Sequence, residues 1–306
     1  MAASGQHRFG KMKIALIANS LSSGVSKEHL LPELENEFKK HHIEFDLLRT
    51  QYHGHATQLV KQLSIREYDA IVSMGGDGTN FQVLNSILKY HGASEIPPLG
   101  ILPCGRGNSF AKDLQIFSSK DGIDALRRQT TRAVDVCRFS QNQTAHYFVN
   151  LMGFGFVTDV AKTATRFNWT ADFSYVIGVF YRLIGLAFHQ MVLEIDEEVI
   201  SGQNCFVEIC NSKYTGGNML MAPEAEIDDG LFDAVVVSPL SRASLIATLP
   251  KIFKGTHGQN PAVRFIKGKS AAVYTEPQKA LLPDGEIFGS TPTEITILPR
   301  LVKYFV

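Results

Sequence analysis

A chain of 306 residues that is 44% hydrophobic has enough apolar side chain for about two domain cores, which excludes a disordered protein. Thirty basic residues balance 30 acidic ones, so no net field draws the protein onto nucleic acid. Cys104, Cys137, Cys205 and Cys210 form no CxxC pair, which argues against a disulfide framework or a zinc site and fits a reducing, cytoplasmic compartment.

Met1 to Lys11 is polar and reads as an extension without an export signal. Lys13 to Ala18 is a short apolar run, followed by an Asn/Ser/Gly loop and the helix-period set Leu30, Leu31, Leu34 and Phe38. The same strand-then-helix pattern recurs twice. Phe45 to Leu48 precedes Ala56, Leu59, Val60 and Leu63, and Ala70 to Ser73 precedes Phe81, Leu84, Ile87 and Leu88. Leu99 to Leu102 adds a strand, so residues 12–132 predict a three-layer α/β domain with a parallel sheet. Residues 133–289 predict a mainly β domain, with strands at Ala133 to Phe139, Tyr147 to Leu151, Val192 to Ile195, Phe206 to Cys210 and Phe232 to Val237. Helices are expected at Val157 to Ala164, from Phe173 onward, and at Arg242 to Phe253. The apolar Phe173 to His189 carries Arg182 and two glycines, and so reads as a buried or docking helix rather than a membrane span.

Ser73-Met74-Gly75-Gly76-Asp77-Gly78-Thr79 follows one strand and opens a helix, at the sheet end where α/β proteins bind ligands. Glycines there bring bare amides close to an anion, and the helix adds its positive end, so phosphate is the natural guest. The bland alternative is a turn with no ligand, and the segment lacks the Gly-Lys-Ser/Thr ending of a Walker A loop. Gly105-Arg106-Gly107-Asn108-Ser109 follows the next strand; Asn108 reads either as a phosphate or loop contact or as an ordinary helix cap. Asp284-Gly285-Glu286 offers a proton acceptor, yet Asp-Gly is also a common hairpin dipeptide. Glu224, Glu226, Asp228, Asp229 and Asp233 could hold a hard cation or form a solvated acidic turn.

Taken in order, these elements resemble the diacylglycerol kinase catalytic-domain family, which includes bacterial lipid kinases and the sphingosine kinases. The resemblance rests on Asn19 to Gly24, Thr50 with Gly54-His55-Ala56, Gly75 to Thr79, Gly105 to Leu114, Asp135, Phe148 to Phe156, Pro223 with Asp228 to Leu231, and Asp284 to Glu286. NAD kinases share the glycine loop, but their Asn-Asn-Glu segment does not occur here. The resemblance implies an ATP-binding α/β domain and a sandwich-like β domain, with residues 290–306 returning to the first. It implies that Thr50, Gly75, Gly76, Asp77, Gly78, Thr79 and Asn80 line the ATP site, together with Gly105 and Asn108. Asp284 would be the general base and Glu286 its support, Asp77 and Asp135 would organise the catalytic Mg2+, and Asp229, Glu226 and Leu231 a structural Mg2+. Ser109 and Arg106 depart from the family's pattern, which usually has Asp and a small hydroxyl residue there.

The function expected is an ATP- and magnesium-dependent lipid kinase acting on diacylglycerol or a related lipid, with Asp284 needing no unusual pKa. Its competitors are a non-catalytic nucleotide or lipid regulator and a soluble-substrate kinase of the NAD kinase type. Apolar residues from Phe167 to Phe188 are candidates for an acyl-chain pocket or docking face, with ordinary core packing the leading alternative for most of them. The acid-free stretch Ala234 to Thr275 would face anionic lipid or else be a solvated basic face. Peripheral membrane association and a homodimer complete the expectations, with no nucleic-acid partner.

Overall fold

The computed structural model describes residues 12–19, 30–94, 96–164 and 186–306. Strands β1 (Met12–Asn19), β2 (Ile43–Thr50), β3 (Ala70–Gly75) and β4 (Leu99–Pro103) run parallel in the order β2-β1-β3-β4. All of β3 and β4 is buried, as strands with helices on both faces must be. Helices α1 (Leu30–Lys40), α2 (His55–Gln62), α3 (Asp77–Tyr90), α4 (Ser109–Asp113) and α5 (Ser119–Arg128) connect and cover them. Ser118 and Asp121 form a reciprocal capping box that fixes where α5 starts.

The chain then turns to antiparallel pairing. It runs through β5 (Thr131–Gln141), β6 (Thr144–Phe148), β7 (Leu151–Gly155), α6 (Phe156–Ala164), β8 (His189–Ile195) and β9 (Glu198–Asn204). There follow β10 (Phe206–Cys210), the short hairpin β11 (Tyr214–Thr215) and β12 (Met219–Leu220), and β13 (Phe232–Val237). The last elements are α7 (Arg242–Ile252), β14 (Val263–Gly268), β15 (Ser270–Glu276), β16 (Leu281–Pro283) and β17 (Thr293–Phe305). A five-stranded sheet, β14-β13-β10-β7-β16, faces the β17-β15-β8-β9 part of the larger sheet. Between them lies a core that includes Phe139, Phe154, Ile209, Phe232 and Val273. Period-two alternation sends Val207 and Ile209 into this core, and Phe206 and Cys210 to the opposite face, against α6 and α7.

Strand β17 spans both halves of the molecule. Its start pairs with β15, its middle and end with β5, and Tyr304 pairs with Leu99 of β4 in the parallel sheet. One expected strand, Tyr147 to Leu151, is instead two, because the chain breaks pairing at Val149 and Asn150, whose amides turn to the Asp284 carboxylate. The expected helix from Phe173, and most of the Phe167 to Phe188 acyl-chain candidates, lie outside the described residues. Among the described residues, no helix is long and apolar enough to cross a membrane.

Candidate active site

The two glycine segments leave the carboxyl ends of β3 and β4 side by side and are fastened together. Cys104 N donates to Gly75 O at 2.8 Å, and a methyl group on Gly105 would stand 2.4 Å from Gly76 Cα, so only glycine permits this approach. Asn108, in the left-handed region at φ 51°, closes its own loop: Oδ1 accepts from Gly105 N and Nδ2 donates to Gly105 O, both at 2.9 Å. Both side-chain bonds thus stay within Asn108's own loop rather than reaching the neighbouring one, and no side-chain cap bond is made to α4. Asp77 spans the segments by accepting from Ser109 N at 2.9 Å and Phe110 N at 3.2 Å. Burial raises its pKa against the pull of these amides and Lys112.

Beside this cradle, Thr50 Oγ1 donates to Asn19 Oδ1, and Asn19 Nδ2 donates to Thr79 Oγ1 at 3.1 Å. These residues line a cavity of about 180 Å³ with Tyr52, His53 and Gly54. It adjoins a second cavity of about 260 Å³ that reaches Glu286 and Phe288 and shares His53, Gly54 and Gln82 with the first. Asn80 was expected to line the nucleotide site, but it points inward: its Oδ1 accepts from Tyr304 OH at 3.1 Å and Ser73 Oγ at 3.4 Å. The reason is its position on α3, where it falls among the buried residues Thr79, Phe81 and Leu84.

Asp284 follows β16, is 2% exposed, and takes φ 46°, with Gly285 at φ 83° completing the tight turn. Its carboxylate accepts backbone N–H groups from Val149, Asn150 and Leu151 at 3.2, 2.9 and 3.2 Å. Burial nevertheless pushes the carboxyl up to about 8, and the nearby Asp77 charge adds to the rise. The expectation of an ordinary pKa is thus corrected: a carboxylate withdrawn from water holds its proton, even with three amides around it. Glu286 lies over the start of α3, where a methyl on Gly78 would meet its Oε1 at 2.0 Å, and His53 Nε2 stands 4.0 Å from its Oε2.

The acidic loop is arranged differently from the expectation. Asp135 accepts from Gly230 N and Arg300 N, each at 2.6 Å, so it organises the 227–231 loop and β17. Asp228 pairs with Arg132 at 2.7 Å, while Lys267 lies 3.4 Å from Asp229 and 3.1 Å from Asp233. Asp229 Oδ1 also accepts from Leu231 N at 2.9 Å, and Glu226 is exposed. Among the described residues, no group of three acidic, His or Cys side chains is disposed to hold a metal. Of the donors expected for a structural magnesium, the Asp229 carboxylate therefore already has Lys267 and the Leu231 amide beside it. The acid-free stretch is likewise no uniform free patch, since Arg264 pairs with Glu198 at 2.7 Å and Lys267 with the aspartates.

Sequence reasoning missed a latch between the second glycine segment and the β11–β12 hairpin. Lys112 Nζ donates to Gly217 O and Asn218 Oδ1, Gly217 N donates to Ser109 Oγ at 3.2 Å, and Lys213 N donates to Asp113 Oδ2 at 3.3 Å. Ser109 therefore serves the latch, as a hydroxyl acceptor that no loop pattern would single out; the Gly216-Gly217 pair after β11 was its sequence signal. Lys112→Met keeps the stem and removes the donors, a loss of about 1 kcal/mol for a partly solvated ammonium. The expected result is roughly fivefold faster amide exchange over Tyr214 to Leu220 with the fold intact. Unchanged exchange in hydrogen-exchange mass spectrometry would show that the latch does not hold the hairpin.

These features define a class: a glycine-loop α/β domain set against a β-sandwich, with a buried acid where they meet. The diacylglycerol kinase catalytic domain model matches residues 13–139, and that of the YegS C-terminal NAD kinase beta sandwich-like domain matches residues 150–306. The chain belongs to the diacylglycerol kinase family. It is 28% identical to a diacylglycerol kinase of Staphylococcus haemolyticus over 291 residues, covering 94% of this chain and 86% of that one. It is 26% identical to sphingosine kinase 1 of Arabidopsis thaliana, covering 84% and 64%. A diacylglycerol kinase crystal structure from Bacillus anthracis shares the fold, with a TM-score of 0.70 at 23% identity and coverage of 96% of both chains.

Proposed function

We propose that this protein is an ATP-dependent lipid kinase that transfers the γ-phosphoryl group to a primary hydroxyl of diacylglycerol or a related lipid. The observation that carries the reading is Asp284, a buried carboxylate held by three amides beside Asp77 and the paired glycine loops. ATP would place its phosphates on the loops joined at Gly76 and Gly105, with its nucleoside in the cavities lined by Thr50, His53 and Gln82. Asp284 takes the proton of the lipid hydroxyl as the oxygen bonds to the γ-phosphorus. The bond from that phosphorus to the β–γ bridging oxygen breaks, and ADP leaves. Magnesium would be held beside Asp77, whose charge already bears on Asp284, and would supply neutralisation of phosphate charge.

Acyl chains would bind on the other side of the five-stranded sheet, where an apolar pocket of about 30 Å³ would have to widen to admit them. Phe156, Phe206, Val237, Leu245 and Ile252 line an apolar pocket between β10, β13, α6 and α7. Exposed Ile246 and Phe253, on and just after α7, with Lys251 and Lys254 beside them, make that side the one that would meet a membrane surface from the cytoplasm.

The test is transfer of labelled phosphate from ATP to a panel of lipids in mixed micelles. The expected result is label in a glycerolipid, with none in NAD or sugar phosphates. Label in soluble acceptors alone would favour the NAD kinase type, and ATP binding without transfer to anything would favour the regulator.

A further inference from the structure

Two of the peptide groups that donate to Asp284 are also held at their other end, and by the same short segment. The N–H of Asn150 donates to Asp284 Oδ1, and the carbonyl of that peptide group, Val149 O, accepts from Asn211 Nδ2 at 2.8 Å. The N–H of Leu151 donates to the same carboxylate oxygen, and its carbonyl, Asn150 O, accepts from Asn211 N at 2.8 Å and Ser212 N at 3.1 Å. Ser212 Oγ adds a hydrogen bond to Asn150 Oδ1. Register brings these residues together. Cys210, the last residue of β10, stands opposite Leu151, the first of β7, so Asn211 falls opposite Asn150, one step past the ladder.

Asn211 and Ser212 are fully buried, and the two nucleotide cavities are lined by other residues. They act on the peptide groups they hold, not on a substrate. The Asn211 amide nitrogen also donates to Asp135 O on β5 at 3.0 Å, so one side chain ties β5 to the kink that faces Asp284. Because both of these carbonyls can only accept, the nitrogen must face them, which leaves Oδ1 buried and, among the described residues, without a hydrogen-bond partner. A buried acceptor without a partner is unfavourable, so packing alone favours an apolar residue here. What asparagine supplies that an apolar residue cannot is a pair of donors on one atom, aimed at two chain segments. A carbonyl that accepts a hydrogen bond polarises its own peptide group and fixes its plane, which makes the N–H at the other end a stronger and better aimed donor.

We infer that Asn211, with Ser212 beside it, is a positioning residue for phosphoryl transfer: it fixes the Val149 and Asn150 carbonyls so that the Asn150 and Leu151 amides hold the Asp284 carboxylate in the orientation from which it takes the acceptor's proton. This rests on the lipid-kinase reading. Asn211 reaches neither glycine segment by a hydrogen bond among the described residues, so its removal acts on the chemical step and spares ATP binding.

The test compares wild type with Asn211→Leu, which keeps the volume and removes the donors, and Asn211→Ala, which removes them without a branched side chain to pack. Thermal melts show which variants are folded. Each substitution is assayed alone and combined with Asp284→Asn, by transfer of label from ATP to diacylglycerol in mixed micelles. In a folded Asn211 variant kcat is expected to fall about tenfold, the scale of a sub-ångström misplacement of a reacting group, with the KM for ATP within about twofold of wild type. In the Asp284→Asn background the same substitution is expected to cost less than about twofold, because the group it positions is already gone. Full kcat in a folded Asn211 variant would overturn the inference. A loss as large with Asp284→Asn as without it, or a KM for ATP that rises as kcat falls, would also overturn it, since a general loosening of the fold acts on both parameters whatever stands at 284. A wild type that labels no lipid would instead remove the lipid-kinase reading, and this inference with it.

Discussion

Asp284→Asn is expected to bind ATP like the wild type and to lose turnover by about 10²- to 10⁴-fold, the range for removing a general base. The asparagine keeps an oxygen for the Asn150 and Leu151 amides, so the β7 to β16 junction stays in place while proton acceptance is lost. The pH dependence is the sharper signature. Asp284 must be ionised to act, and burial places its pKa at about 8 in the free protein. Wild-type kcat/KM is therefore expected to climb with pH and level off above about 8, since only the ionised fraction reacts. The linkage sign is the opposite for stability: the folded state holds this proton while the unfolded chain has released it, so Asp284 weakens the fold progressively from about pH 4 to about pH 8. Isothermal titration for ATP and a kcat/KM profile read both effects. Turnover retained by Asp284→Asn would remove the residue from the chemistry, and a profile flat through pH 8 would remove it as the titrating base.

Much of this architecture was legible in the chain. The runs Ile14 to Ile17, Ala70 to Ser73 and Leu99 to Leu102 are buried throughout and, Ser73 apart, carry no polar side chain, because parallel strands are covered on both faces, and helix-period residues such as Leu84 and Ile87 follow them. Gly75 to Thr79 and Asp284 to Glu286 announced the site because special backbone is written in glycine and Asp-Gly. What stayed hidden depends on distant partners. Val149 and Asn150 read as strand, and only the arrival of Asp284, 134 residues later than Asn150, gives their amides a reason to leave the ladder. Asn80 lies beside a phosphate-loop motif in sequence but beside Tyr304 in space, 224 residues away. Lys267 near Asp229 and Asp233, and Arg132 on Asp228, are ion pairs that the acidic run itself gave no sign of, because the basic partners come from distant strands.

The paired glycine loops predict a contrast between two substitutions that look alike in sequence. Gly105→Ala is expected to weaken ATP binding by at least about 100-fold, because its methyl would lie 2.4 Å from Gly76 Cα and 3.0 Å from Gly76 N, both main-chain atoms. Neither loop can yield without parting Cys104 N from Gly75 O or breaking the two bonds between Asn108 and Gly105. Separation of the loops would destroy the phosphate cradle, since its amides must converge on one anion. Gly78→Ala meets instead the tip of a flexible side chain, Glu286 Oε1 at 2.0 Å, which can rotate away. ATP binding is then expected to survive, while turnover falls as Glu286 leaves its place two residues from Asp284. Titration of ATP against both variants, with single-turnover rates for Gly78→Ala, separates binding from chemistry. If Gly105→Ala bound ATP as tightly as wild type, the two glycine segments would not form one phosphate site, and the nucleotide would have to lie elsewhere along the Thr50 to Gln82 cavities.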